Sequence, residues 1–442
     1  MKNRFATQKL LRPSLAGVLL AALALPAGAV DLKTADGDWT FSIDGNVNVD
    51  YIYSSCQSRS SAVSVAGGLT CLGSANGSSS VSNIGNGLLP AAFVFGVATT
   101  QAGIDLTAHL GLYPGIATND GGSPNLQAGT SNGSSNTALG STGLDIRQVY
   151  MTFGTKTVGT FTLGRNIGLF GADVILADMT LPGVGAPGSA ATAAPSNTTL
   201  GGIGWGYIYT DWLAQMDYTT PDFAGFNATL GIYDPLNSLS EPAGAEVQPK
   251  KAPGFHAKVT WTLPFSEGNK LYASVAYITQ QQDYVFPATT TGGTATPYSY
   301  TGNGVDVFAK LDLAGFEAVA YYYHGTGLGT TALFDGGAFT NGTTSLGATR
   351  TSDGYFGQLT YKFGDVKLGV NYGRSNLKYA NSEDQTANPN LLNYNQKVTG
   401  GLYYSLTKNL TLLLEGSGTK SASQAGGSNS GTTVNVGAYL GF

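Results

Sequence analysis

The chain has 442 residues, of which 63 are Gly and only 11% are charged, and its formal net charge is −5. That charge content is far below the ~25% of ordinary soluble domains, and the acidic balance argues against nucleic acid as a partner. Beyond the first 29 residues no apolar run reaches the ~18 residues of a membrane helix, so an all-β chain is expected.

Met1 to Ala29 reads as a cleaved export signal. Lys2, Arg4, Lys9 and Arg12 form the basic start, Leu15 to Leu25 the apolar core, and Ala27-Gly28-Ala29 the small-residue cleavage site. Removing those four positive charges takes the net charge from −5 to −9 over residues 30–442. The first strand is expected over Asp38 to Tyr53. Trp39, Phe41, Ile43, Val47, Val49, Tyr51 and Tyr53 share one parity, while Ser42, Asp44, Asn46, Asn48 and Asp50 share the other. One face therefore meets apolar surroundings and the other meets water. Ser54 to Pro90 reads as a loop that holds the only two cysteines, Cys56 and Cys71. In an exported chain they favour a disulfide with each other; free thiols or a metal site are the weaker readings, since no His lies nearby.

The same alternation recurs to the C-terminus. Strands are expected at Phe93–Thr99, Ile104–Tyr113, Ile146–Phe153, Gly159–Leu163, Trp205–Tyr218, Phe226–Tyr233, Phe255–Leu263 and Leu271–Gln281. Gly304–Leu313, Phe316–Tyr323, Tyr355–Phe363, Val366–Tyr372, Tyr394–Leu406, Leu410–Ser417 and Thr432–Phe442 follow. These make sixteen strands, with long polar loops and very short turns strictly alternating. That is the pattern of a transmembrane β-barrel of the outer membrane, with both termini on the short-turn side and no free sheet edge.

One stretch departs from this rhythm. After the hairpin ending at Gly164-Arg165-Asn166, the segment to Pro182 interleaves Ile167, Leu169, Val174, Ile175 and Leu176 with Gly168, Gly171, Asp173 and Asp178. A loop both apolar and acidic is expected to pack on a wall and show its acids to a lumen. Gly164-Arg165-Asn166, Gly168, Ala177-Asp178-Met179 and Leu181-Pro182 resemble the third loop of the general trimeric porins of bacterial outer membranes. Asp217 to Phe226 is similar to a porin hairpin, and the terminal Gly437, Leu440 and Phe442 resemble an outer-membrane insertion signal.

The resemblance implies a sixteen-stranded antiparallel barrel over 30–442, assembled as a homotrimer, with an inward constriction loop at about 166–204. It implies passage of small hydrophilic solutes and ions through a wall set in outer-membrane lipid. Asp173 and Asp178 would supply negative charge at the constriction and Arg147 positive charge opposite them, with Arg165 either facing the pore or bracing the loop. The parity of Arg147 is ambiguous, because Val149, Met151 and Phe153 compete with Ile146 and Tyr150 for the apolar face. Gly183 stands where the family carries a further loop acid. The excess of acids on polar-parity positions points to mild cation selectivity. No cofactor, metal site or enzyme constellation is expected: His109, His256 and His324 lie on separate strands. The alternatives are a substrate-selective channel, which Tyr321-Tyr322-Tyr323 leaves open, and an adhesin or envelope-scaffold barrel with a plugged lumen.

Overall fold

The computed structural model describes residues 30–35, 37–57, 65–71, 79–116, 144–187, 198–237, 246–286, 296–340 and 345–442. The expected export signal and most of the loop at 114–143 lie outside the described residues. In chain order, β1 (Val30–Lys33), β2 (Trp39–Cys56), β3 (Ser79–Gly85), β4 (Ala92–Gln101), β5 (Ile104–Pro114), β6 (Leu144–Thr155) and β7 (Gly159–Ile167) precede a short helix, α1 (Ala172–Ala177). Next come β8 (Trp212–Thr219), β9 (Phe226–Tyr233), β10 (Glu246–Val247), β11 (Gly254–Ser266), β12 (Asn269–Phe286), β13 (Thr296–Leu313) and β14 (Phe316–Thr326). The chain ends with β15 (Thr351–Phe363), β16 (Val366–Leu377), α2 (Ser382–Ala387), β17 (Leu392–Ser405), β18 (Leu410–Ser423) and β19 (Ser428–Gly441).

Three of these strands only extend a neighbour's position. β3 pairs with the upper half of β2 and β4 with its lower half. β1 covers Thr40–Ile43 of β2, and β10 pairs with Tyr284 and Val285 of β12 beyond the end of β11. The remaining sixteen form one antiparallel sheet that closes where β19 pairs with β2. The sixteen expected strands are therefore found, most of them running one to five residues beyond the expected bounds, with two corrections. Residues 79–85, read as loop, form β3. Trp205 to Asp211, read as strand, belongs to the segment inside the lumen.

Alternation carries through to the observed faces. Val305, Val307, Leu359, Leu368, Val370, Leu402, Leu412 and Leu414 are exposed on the outside. Aromatic rings flank this apolar band, as interfacial belts do. Toward the short turns lie Phe161 against Tyr218, Phe226 against Trp261 and Phe316 against Tyr361, with centroids 5.0, 5.6 and 4.3 Å apart. Toward the long loops lie Phe255 against Tyr277 and Tyr355 against Tyr372. Three of the short turns are Ala-Gly pairs with positive φ at both residues: Ala102-Gly103, Ala224-Gly225 and Ala314-Gly315. This is the type I′ geometry that matches the twist of a tight hairpin.

Cys56 and Cys71 are joined in a disulfide, and both are buried. The bridge holds segment 65–71 inside the mouth of the barrel. There the Leu69 and Thr70 N–H groups donate to Asn395 Oδ1 and Ser421 Oγ, at 3.2 and 2.9 Å. Closing so short a loop stabilises by roughly 3 kcal/mol, and all of it falls on a segment that forms none of the sixteen barrel strands. A Cys56→Ser/Cys71→Ser chain is expected to keep the heat-modifiable mobility of a folded barrel on a gel. Protease cleavage should become easier within 65–70. Loss of the folded band would contradict this.

Candidate functional site: an inward loop and the wall that holds it

Between β7 and β8 the chain leaves the sheet and crosses the lumen. Its descending limb buries Ile167, Phe170, Val174 and Ile175 against Ile278, Phe308, Val319, Tyr321 and Tyr323, which line the inside of β12, β13 and β14. The return limb, Trp205 to Tyr209, is buried against Phe356 and the inward segment Leu328–Phe334. Gly206 (φ +124) and Gly373 let two backbones touch there: a Cβ on Gly373 would overlap the Trp205 carbonyl.

A loop inside a barrel brings in backbone donors and acceptors that no sheet satisfies, and buried polar groups must find partners. Here the wall side chains supply them. Asp306 Oδ2 accepts from the Gly171 N–H at 2.6 Å, at the left-handed residue (φ +73) that starts α1. Gln358 takes the Met179 N–H at 2.7 Å and donates to the Ala177 carbonyl at 2.8 Å. Glu415 accepts from the Val184 and Gly185 N–H groups at 2.8 and 2.9 Å and from the Tyr403 hydroxyl at 2.7 Å. Lys397 donates to the Gly201 carbonyl at 2.7 Å, and the Gly206 N–H donates to Ser375 Oγ at 2.9 Å. Beside β18, past β19 and β2, the break between β3 and β4 grips the same loop. The Leu88 and Leu89 N–H groups donate to Gly183 and Leu181, at 2.6 and 3.1 Å.

The residues expected at the constriction fall into this scheme unequally. Asp173 is held by the wall: Lys258 Nζ at 3.1 Å, Tyr272 at 3.2 Å and Ser274 at 2.5 Å all donate to it. Asp178 is only 3% exposed and ties the loop to itself and to the wall. It accepts from the Thr180 N–H and hydroxyl, from Tyr207 at 2.8 Å and from Asn371 at 3.1 Å. Burial, and then the charge of Asp178, push the Tyr207 hydroxyl well above its ordinary range, which keeps it a donor. Neither acid projects as a free charge.

Among the described residues Arg147 makes no ion pair with Asp178. β6 carries a bulge at this point: Gly111 pairs with Gln148 and Leu112 with Ile146, so Arg147 has no partner. Both Arg147 and Gln148 turn inward and are buried, while Ile146, Val149 and Met151 stay exposed outside. The extra residue shifts the parity of the strand, which is why its alternation was ambiguous. Arg147 Nε donates to Asp145 at 2.7 Å and its guanidinium lies 5.4 Å from the centre of the Tyr113 ring. Arg165 pairs with Val149 and Ala214, both exposed, so it takes the outward parity. Its charge acts on Asp211 at the loop's base. Burial pushes that carboxyl up to about 6, against the Trp212 N–H and the charges of Arg165 and Arg147. Among the described residues no ion pair joins Arg147 or Arg165 to Asp173 or Asp178.

The absence of an acid at position 183 has a cause. A Cβ on Gly183 would overlap the Glu415 carboxylate, so an acidic side chain there would meet both atoms and like charge. Only the loop's path shows that the wall acids Asp306 and Glu415 receive backbone N–H groups.

Below the loop, toward the short turns, lies a cavity of about 1630 Å³. Leu169, Ala172, Asp173, Leu176, Asp178, Met179 and Pro182 form its roof. Threonines from several strands line its walls, with Lys258, Lys310, Lys362, Lys367, Asp312 and Glu317. Lys310 lies 2.7 Å from Glu317 and 3.7 Å from Asp312, whereas Lys362 stands opposite Lys367 across β15 and β16. Among the described residues no group of His, Cys, Asp and Glu has the arrangement of a metal site.

A family model described as Gram-negative porin matches residues 16–424. No curated protein matches the chain. Among solved structures, the outer membrane channel DcaP of Acinetobacter baumannii is 15% identical, with a TM-score of 0.62, over 93% of this chain and 99% of that one. OmpT of Vibrio cholerae, in the form expressed in the outer membrane, is 12% identical, with a TM-score of 0.51, over 93% of this chain and 100% of that one. OmpF of Salmonella typhi, in complex with daunomycin, is 12% identical, with a TM-score of 0.50, over 93% and 100%.

Removing a wall acceptor strands two loop N–H groups and costs about 1–3 kcal/mol for a buried group. A Glu415→Leu chain is expected to fold as a barrel yet release residues 183–185, giving faster hydrogen exchange there and noisier single-channel current. Exchange as slow as in the parent chain would remove Glu415 from this role.

Proposed function

This chain belongs to the Gram-negative porin family, and we propose that it is a passive diffusion channel of the outer membrane for small hydrophilic solutes and ions. The observation that carries the proposal is the cavity, lined by threonines, lysines and acids, that leads from the short-turn mouth to a loop pinned across the lumen. Transport follows the concentration gradient, and the residues lining that cavity filter by size and charge without forming or breaking a bond. The assembly is a homotrimer in this reading. One OmpT structure of Vibrio cholerae, 11% identical with a TM-score of 0.50, is a trimer form.

The finer claim is weak cation preference. Asp38, Asp105, Asp173, Asp178, Asp217, Asp222, Asp312 and Glu317 line the cavity against Lys156, Lys258, Lys270, Lys310, Lys362 and Lys367. Lys258 offsets Asp173, Lys310 offsets Glu317, and His256 lies 2.8 Å from Asp217. The margin of acid over base is small, and salt screens it within about 10 Å at 0.1 M.

A zero-current potential across a planar bilayer in a KCl gradient tests both levels. Stepwise openings with a small cation preference that fades as salt rises are expected. Lys362→Gln should strengthen the preference and Glu317→Gln weaken it, while Arg147→Ala should leave it unchanged, because that charge is already matched by Asp145. A clear anion preference at low salt would overturn the selectivity. Silence from intact trimers would favour a second reading, a partner-binding barrel closed at the outer mouth, which draws on the packing of segment 198–211 against 327–340.

A further inference from the structure

On the wall below the inward loop two like charges face each other. Lys362 of β15 and Lys367 of β16 are register partners, and both line the cavity. Side chains so paired have Cβ atoms about 5 Å apart, and like charges in that position destabilise a sheet. Neither lysine is in an ion pair among the described residues. The acids that β13 to β16 present to the cavity, Glu317 and Asp312, go to Lys310, at 2.7 and 3.7 Å. Three lysines against two acids leave this part of the lining with one positive charge, although acids outnumber bases in the cavity as a whole. Lys367 is held toward β17, with its Nζ 5.3 Å from the centre of the Tyr403 ring.

Hydroxyl groups without partners continue the row. Lys367 pairs with Tyr403 of β17, and two residues further on Ser405 pairs with Thr411 of β18. Thr411 in turn pairs with Tyr439 of β19. These residues all line the cavity. Among the described residues the side chains of Ser405, Thr411 and Tyr439 make no hydrogen bond. They stand one, two and three strand spacings from Lys367, about 5 to 14 Å. Acetate is too short to touch both the lysines and the hydroxyls, whereas a single sugar acid reaches from one to the other.

Resting on the reading of this chain as a solute channel, we propose that this row is a binding site for a sugar acid with one carboxylate, such as gluconate. The carboxylate sits between Lys362 and Lys367 and offsets their repulsion. The hydroxyls along its carbon chain bond Ser405 and Thr411, and a longer body reaches Tyr439. One net positive charge selects a monocarboxylate over a dicarboxylate. Unpartnered wall hydroxyls select a hydroxylated body over an alkyl one.

Single-channel current in a planar bilayer tests the proposal, with gluconate added on both sides in KCl. Openings before addition test the channel itself; silence there would remove the channel reading and this site with it. In an open channel gluconate is expected to reduce the current at a concentration roughly tenfold or more below that needed for acetate, sorbitol or succinate. Lys362→Gln/Lys367→Gln should raise the half-maximal concentration roughly tenfold or more, as loss of a charge-assisted hydrogen bond does. Ser405→Ala/Thr411→Val should raise it about fivefold for gluconate and leave acetate unchanged, and this variant carries the test if the lysine variant does not fold. An open channel that gluconate leaves unchanged would overturn the site alone. Equal block by acetate, sorbitol or succinate would also overturn it, as would equal block of the parent and the variants.

Discussion

Inside a bilayer a sheet edge has no water to bond with, so a chain that crosses as strands must close on itself. Here closure is the pairing of β19 with β2, from Gly431–Cys56 to Gly441–Asn46, finished by mutual backbone hydrogen bonds between Phe442 and Gly45. Everything else depends on that ring. It fixes which parity of each strand faces lipid and which faces the lumen, and so it creates the enclosed polar surface on which a second element can be built.

That second element obeys the same rule in reverse. The segment between β7 and β8 enters the lumen with its own backbone groups unpaired, and the wall answers with Asp306, Gln358, Glu415, Lys397 and Ser375. These side chains are therefore matched to a path of the backbone and not to a passing solute. The charges left facing the cavity are the ones the loop does not use. Loop position and ion preference are thus coupled: each acid engaged by a loop N–H is an acid withdrawn from the cavity's field.

Much of this was legible in the residues. Period-two alternation located all sixteen barrel strands, because lipid on one side and water on the other leave little freedom at each position. Where alternation was blurred, a physical event lay beneath it. The bulge at Arg147 turns two consecutive side chains inward. The break between β3 and β4 hid Ser79–Gly85 among Ser and Gly. Trp205 to Tyr209 reads like a strand because it is buried on all sides, which periodicity alone cannot tell from a sheet. The roles of the acids were the least legible, since a carboxylate that accepts from a loop backbone and one that faces the cavity look alike in one dimension. Asp178 stands in the cavity roof and also accepts from Tyr207, Asn371 and Thr180.

The central claim is that the inward loop sets the width of the passage. Single-channel conductance of a chain in which Ala172–Pro182 is replaced by a short Gly/Ser link tests it most directly, with the heat-modifiable gel mobility confirming a folded barrel. The account predicts a conductance clearly above that of the parent chain. An unchanged conductance in a correctly folded variant would place the limiting section elsewhere and contradict the account.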